Sequence, residues 1–164
     1  MPTLGGTLDI ALDPDFVPTL GDMFEEVVGP STSGAFSAYT NMLVPGTDLA
    51  LVPVRQAGGS YDLVTHYAGD ANFDGIVNIL DLTVLADHWQ MAGDWQAGDF
   101  TGDMFVDGAD VWVLRDRWLL NAPDQPQSFA DALASVGLAG IPEPGSAAVL
   151  LALGGALALR RGRR

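Results

Sequence analysis

Residues 70–81 read Asp-Ala-Asn-Phe-Asp-Gly-Ile-Val-Asn-Ile-Leu-Asp, with side-chain oxygens at positions 1, 3, 5, 9 and 12 and Gly75 at position 6. A second stretch, 99–110, repeats this frame 29 residues later. A short loop wrapped round one ion turns alternate residues inward. A hard cation such as calcium takes about 6–8 oxygens at about 2.3–2.6 Å. The spacing therefore predicts a calcium loop, and its recurrence predicts a pair. An Asp-rich turn without metal is the competing reading.

In the first loop Asp70, Asn72 and Asp74 supply side-chain oxygens, Ile76 its backbone carbonyl, Asn78 an oxygen acting through water, and Asp81 the closing carboxylate. Gly75 stands where the chain turns sharply. In the second loop the corresponding residues are Asp99, Thr101, Asp103, Phe105 through its carbonyl, Asp107 and Asp110. Its four carboxylates exceed the three of the first loop. Against this, Thr101 is a poorer neutral ligand, and Met104 replaces Gly at position 6. A left-handed non-Gly residue costs roughly 1–2 kcal/mol. Two calcium ions are expected, with the alternative that the second loop is a decayed copy kept for packing.

The 29-residue shift aligns more than ligands. Gly69 matches Gly98, Val77 matches Val106, Leu82 matches Val111, Leu85 matches Leu114 and Trp89 matches Trp118. The last three pairs fall on one helical face. Each half thus reads as a loop running into an amphipathic helix, about 82–90 and 111–120. Asp81 and Asp110 stand at the helix starts, where a carboxylate suits the dipole. The two apolar faces are expected to pack as a pseudo-twofold pair.

An EF-hand would have a helix entering each loop. Residues 60–69, rich in β-branched and aromatic side chains, instead read as a strand and turn, and 90–98 is short and holds Gly93 and Gly98. The closing ligand is Asp, not the longer Glu of EF-hands. Loop-then-helix, duplicated, with Asp at position 12, resembles a type I dockerin over about 69–120. The resemblance implies a calcium-dependent attachment or terminal module. In that family the two residues before the closing Asp help choose the cohesin partner and are commonly small and hydroxylated. Here they are Ile79-Leu80 and Gly108-Ala109, so a cohesin-like or other surface protein is implied without being named. About fifty residues bury little core alone, so metal is expected to support the fold.

At the C-terminus, Pro142-Glu143-Pro144 is followed by an apolar run, Ser146–Leu159, and by Arg160, Arg161, Arg163 and Arg164. The run is shorter than the ~20 residues of a membrane span. The arginines would hold that end in the cytoplasm, and the prolines stop a helix from extending backward. This order resembles a PEP-CTERM sorting signal over 141–164. It implies a bacterial exported protein, held transiently in the membrane by the C-terminal helix and cut by an exosortase-type enzyme. A plain C-terminal anchor is the alternative. Cell surface or extracellular matrix is the expected destination.

The chain has no Cys, hence no disulfide framework. Its seven basic residues are all Arg, and without residues 160–164 three Arg face 21 acids. Such a balance disfavours nucleic acid and anionic surfaces. The N-terminus shows no secretory signal. With an export tail, that points to a start upstream or to a fragment of a longer protein. Residues 1–66 read as β-rich: Leu8, Ile10 and Leu12 alternate, and short runs follow near 22–28, 35–40, 49–54 and 61–67. A small sandwich or the last coils of a longer β-array is expected. Residues 122–140 read as a linker with one short helix at 128–136. The fold class is α+β: a β-rich region 1–66, a duplicated loop–helix module 67–121, the linker, and a C-terminal hydrophobic helix within 141–164.

Catalytic signals are absent from the sequence. Ser60, Asp62 and His66 do not make a triad in an alternating strand, and no Gly-x-Ser-x-Gly elbow occurs. Glu25 and Glu26 would face opposite ways. His88 falls on neither the apolar stripe nor the loop and is expected exposed. The leading expectation is a non-catalytic exported protein with a calcium-held attachment module. The alternatives are the C-terminal end of a secreted polysaccharide-degrading enzyme with its catalytic domain upstream of Met1, and an intracellular calcium sensor, which would need entering helices.

Overall fold

The computed structural model describes residues 3–28, 33–122 and 127–141. These form a mixed fold of small sheets and three helices. In chain order the elements are β1 (Thr3–Leu4), β2 (Thr7–Asp9), β3 (Met23–Val28), β4 (Ser33–Gly34), β5 (Ala38–Thr40), β6 (Leu49–Arg55), β7 (Tyr61–Tyr67), α1 (Ile79–Asp87), a 3-10 turn (Trp95–Ala97), α2 (Gly108–Arg115) and α3 (Phe129–Ser135).

The β-branched and aromatic run Tyr61–Tyr67 becomes the central strand of an antiparallel sheet ordered β3-β7-β6. Its register with β6 runs from Leu49↔Tyr67 to Arg55↔Tyr61. Pro53 is tolerated because β6 lies at the sheet edge. Outside that edge, Leu51 N–H donates to the Met42 carbonyl at 2.8 Å and Val44 N–H to the Leu49 carbonyl at 2.9 Å. Two parallel pairs, β1–β4 and β2–β5, lay residues 33–40 alongside residues 3–9.

Both repeat helices begin three residues earlier than the apolar stripe suggests. The reason is a capping box in each half. Asn78 Oδ1 accepts from Leu80 N–H at 2.7 Å, while Asp81 Oδ2 accepts from Asn78 N–H at 2.9 Å. Asp107 and Asp110 repeat this arrangement at 2.7 and 2.8 Å. A polar N-cap three residues before an acidic residue defines a helix start, and it outweighs the first apolar residue of the stripe. Asp81 and Asp110 consequently sit one turn inside their helices.

The duplicated halves interlock. Gly69, φ +95°, packs on α2, where an added Cβ would lie 3.0 Å from Leu114 Cα; Gly98, φ +100°, packs on α1, where it would lie 2.8 Å from Leu85 Cα. Each glycine thus seats the other half's helix. Backbone pairing is exchanged likewise. Val77 N–H donates to Leu120 and Leu119 N–H to Val77 (3.1 and 2.9 Å), as Val106 N–H donates to Met91 and Gln90 N–H to Val106 (2.9 Å each). Every partner in one half equals its counterpart plus 29. Val77, Leu82, Leu85, Val106, Val111 and Leu114 are fully buried, and Trp89 and Trp118 pack at the margin.

The core cluster runs from Ile10 in the β-rich region, through both helices, to Leu138. Helix α3 forms within the expected 128–136, capped by Ser128, and Ala132 and Leu133 join that cluster. Trp118 Nε1–H donates to the Gln127 carbonyl at 2.9 Å and its ring meets Phe129 edge-on. No helix among the described residues is long and apolar enough to cross a membrane. The Pro142-Glu143-Pro144 motif, the apolar run and the arginine cluster lie outside the described residues.

Candidate metal centre

Loop 70–81 follows strand β7 and loop 99–110 follows the 3-10 turn, so no α-helix enters either. Backbone N–H groups organise both loops around their first and last carboxylates. Asp81 accepts from Ala71, Asn72 and Asn78 at 2.9, 3.4 and 2.9 Å. Asp110 accepts from Phe100, Thr101 and Asp107 at 2.8, 3.0 and 2.8 Å, the same three positions shifted by 29. Asp70 accepts from Asp74 and Gly75 at 3.2 and 2.9 Å. Asp99 accepts from Gly102 and Met104, both at 2.8 Å, and from Thr101 Oγ1 at 3.3 Å.

Two left-handed residues turn each loop. Position 4 is Phe73 (φ +60°) or Gly102 (φ +83°); position 6 is Gly75 (φ +80°) or Met104 (φ +67°). At these two positions each loop therefore places one glycine and one strained residue, in exchanged order. Met104 does not single out the second loop, because Phe73 imposes a like cost of roughly 1–2 kcal/mol on the first. The exchange has local reasons. Phe73 stacks on His66 with ring centroids 4.1 Å apart. At position 4 of the second loop an added Cβ would lie 2.6 Å from the Tyr39 carbonyl oxygen, so glycine is required there.

The four framing carboxylates, Asp70, Asp81, Asp99 and Asp110, are at most 1% exposed. Burial raises all four pKa values, overriding the backbone hydrogen bonds that lower them; Asp81 and Asp110 are pushed up to about 6. Like charge adds to this, Asp70 acting on Asp81 and Asp99 on Asp110. The ion pairs Arg115–Asp116 and Arg117–Asp48 lie away from these groups. His66, electrostatically coupled to Asp70, has its own pKa lowered by burial.

The remaining expected ligands are more open. Asp74 accepts from Ile76 N–H and Asn72 Nδ2–H at 2.8 and 3.0 Å, and Asn72 Oδ1 accepts from Asp74 N–H at 2.9 Å. Asp103 accepts from Phe105 N–H at 3.0 Å. Asn78 and Asp107 are engaged as helix caps. Among the described residues no group of three or more His, Cys, Asp or Glu side chains is gathered so as to hold a metal ion. The expected donor sets also include two Asn side chains and a carbonyl in the first loop, and Thr101 and a carbonyl in the second.

Sequence reading missed two contacts around the loops. Trp95 Nε1–H donates to the Asp70 carbonyl at 2.8 Å, linking the second half to the first residue of the first loop. Tyr39 N–H donates to the Gly102 carbonyl at 2.6 Å, docking the β-rich region on the second loop. Neither has a local signature. His88, expected exposed, is half-buried at the end of α1, its Nδ1 2.9 Å from the Val84 carbonyl oxygen, so it serves the helix end. No protein-family model, curated protein or solved structure matches this chain.

Proposed function

We propose that this chain is a non-catalytic exported bacterial protein, or part of one, with a calcium-stabilised attachment module of the dockerin type and a C-terminal sorting signal. One observation carries the calcium reading: two loops related by 29 residues each bury a framing pair of carboxylates in matching cradles, with no Lys or Arg ion-paired to them among the described residues. Ionised carboxylates so buried are costly unless paired or metal-bound. The all-oxygen donor set suits a hard cation. Asp70, Asn72, Asp74, Asp81 and the Ile76 carbonyl would hold one ion, with Asn78 reaching it through water. Asp99, Thr101, Asp103, Asp110 and the Phe105 carbonyl would hold the other, with Asp107 in the place of Asn78. Calcium would supply the charge that these carboxylates lack.

The attachment reading rests on the resemblance and on what the helix starts present. Leu80, one of the two residues before the first closing Asp, is 56% exposed. Its counterpart Ala109 is also exposed, beside a half-buried Gly108 close to Ile141. A cohesin-like or other surface protein with an apolar contact for Leu80 fits this face. The Pro142-Glu143-Pro144 tail supports export and exosortase-type processing. Thermal unfolding in calcium and in chelator tests the calcium reading. If calcium reaches about 100 times its dissociation constant, one site adds about 2.7 kcal/mol. A higher Tm in calcium, diminished by Asp74→Ala, is expected; identical melting in both buffers rejects the proposal.

A further inference from the structure

A cavity of about 270 Å³ lies between the β-rich region and the loop module. It is distinct from the carboxylate cradles, although Asp99 borders it. Its walls bring together rings from three separate parts of the chain: Tyr39 and Tyr61 from the β-rich region, Phe73 from the first loop, and Trp95 from the 3-10 turn. At the rim stand Arg55, Asp94 and Gln96, all exposed.

This lining restricts the ligand. The cavity is smaller than the roughly 300–1,000 Å³ of drug-sized sites, so it takes one ring-sized unit. Asp94, in a chain of net charge −14, opposes an anion. Arg55 opposes a cation. What remains is a neutral molecule. Tyr61 and Trp95 are 2% and 5% exposed, so the half-buried rings of Tyr39 and Phe73 are the ones that meet a flat ring face carrying C–H groups, while Arg55 donates, Asp94 accepts, and Gln96 does both. A pyranose ring has an apolar face and an equator of hydroxyls that both donate and accept. We propose that this cavity is a binding site for one neutral hexopyranose unit, held against the aromatic walls and hydrogen-bonded by Asp94, Gln96 and Arg55. The proposal does not depend on calcium occupying either loop.

Saturation-transfer NMR on the full chain tests it. The probes are the methyl pyranosides of glucose, galactose, mannose and N-acetylglucosamine at millimolar concentration. Transfer to at least one pyranoside is expected. Gln96→Ala and Asp94→Ala should each weaken its binding roughly 3–10-fold, the loss of one hydrogen bond, with Tm unchanged because both side chains are exposed. Absence of transfer to every pyranoside, or binding that neither variant weakens, overturns the proposal. Indole displacing the pyranoside without loss in either variant also overturns it, making the cavity a pocket for an apolar side chain.

Discussion

Calcium should reverse the sign of this protein's pH dependence between about pH 4 and pH 6. Without metal, Asp81 and Asp110 hold their protons to about pH 6 in the folded chain, against 3.8 for an unperturbed carboxyl. Between those values the folded state binds more protons than the unfolded state, so stability falls as pH rises. The stability is fully present below about pH 4 and is lost through about pH 6. A displacement from 3.8 to about 6 corresponds to about 3 kcal/mol for each carboxyl. With calcium bound, the ionised form is favoured, the folded pKa drops below the unfolded one, and stability rises with pH over the same interval. Metal binding releases protons for the same reason. Urea unfolding followed by tryptophan fluorescence, on metal-stripped chain at pH 4, 5, 6 and 7 and again with added calcium, measures both slopes. A fall of several kcal/mol without metal and a rise with calcium are predicted. Parallel curves in the two conditions would refute the reasoning, because the ion would then not be meeting these carboxylates.

Substitutions separate packing from strain. Gly98→Ala should cost roughly 2–4 kcal/mol in urea unfolding, since its Cβ would fall 2.8 Å from Leu85 Cα at φ +100°. Gly75→Ala, with open space around it at φ +80°, should cost only about 1 kcal/mol in the same assay. Met104→Gly should raise stability by about 1 kcal/mol, read as a higher urea midpoint at unchanged slope. Trp95→Phe removes the hydrogen bond to the Asp70 carbonyl; it should cost about 1 kcal/mol and weaken calcium at the first loop more than at the second, measured by titration calorimetry.

The duplicated module was the most legible part of this chain. Ligand spacing, the Leu82/Leu85 and Val111/Leu114 stripes and the Gly69/Gly98 match are periodic, local signals. The apolar stripes and the paired glycines form the interlocked core. Apolar spacing alone places the helix starts three residues late, because Asn78-x-x-Asp81 and Asp107-x-x-Asp110 form capping boxes that set them. The cost assigned to Met104 omitted its complement. That Phe73 shares the left-handed conformation depends on backbone geometry at position 4, where a side chain's identity gives no warning. The runs near 22–28, 35–40, 49–54 and 61–67 correspond to β3, β5, β6 and β7, whereas β1 and β4 have no such signal and, of Leu8, Ile10 and Leu12, only Leu8 lies in a strand. The parallel pairing of β1 with β4 and β2 with β5 was not legible, since strands of two or three residues carry no register information. Contacts such as Tyr39 with Gly102 join distant segments and exist only once both have folded.

Calorimetric titration of the metal-stripped full chain with calcium tests the central claim most directly. The account predicts two sites, with Asp74→Ala abolishing or weakening one and leaving the other. No calcium binding, or a stoichiometry and affinity untouched by Asp74→Ala and Asp103→Ala alike, would contradict it.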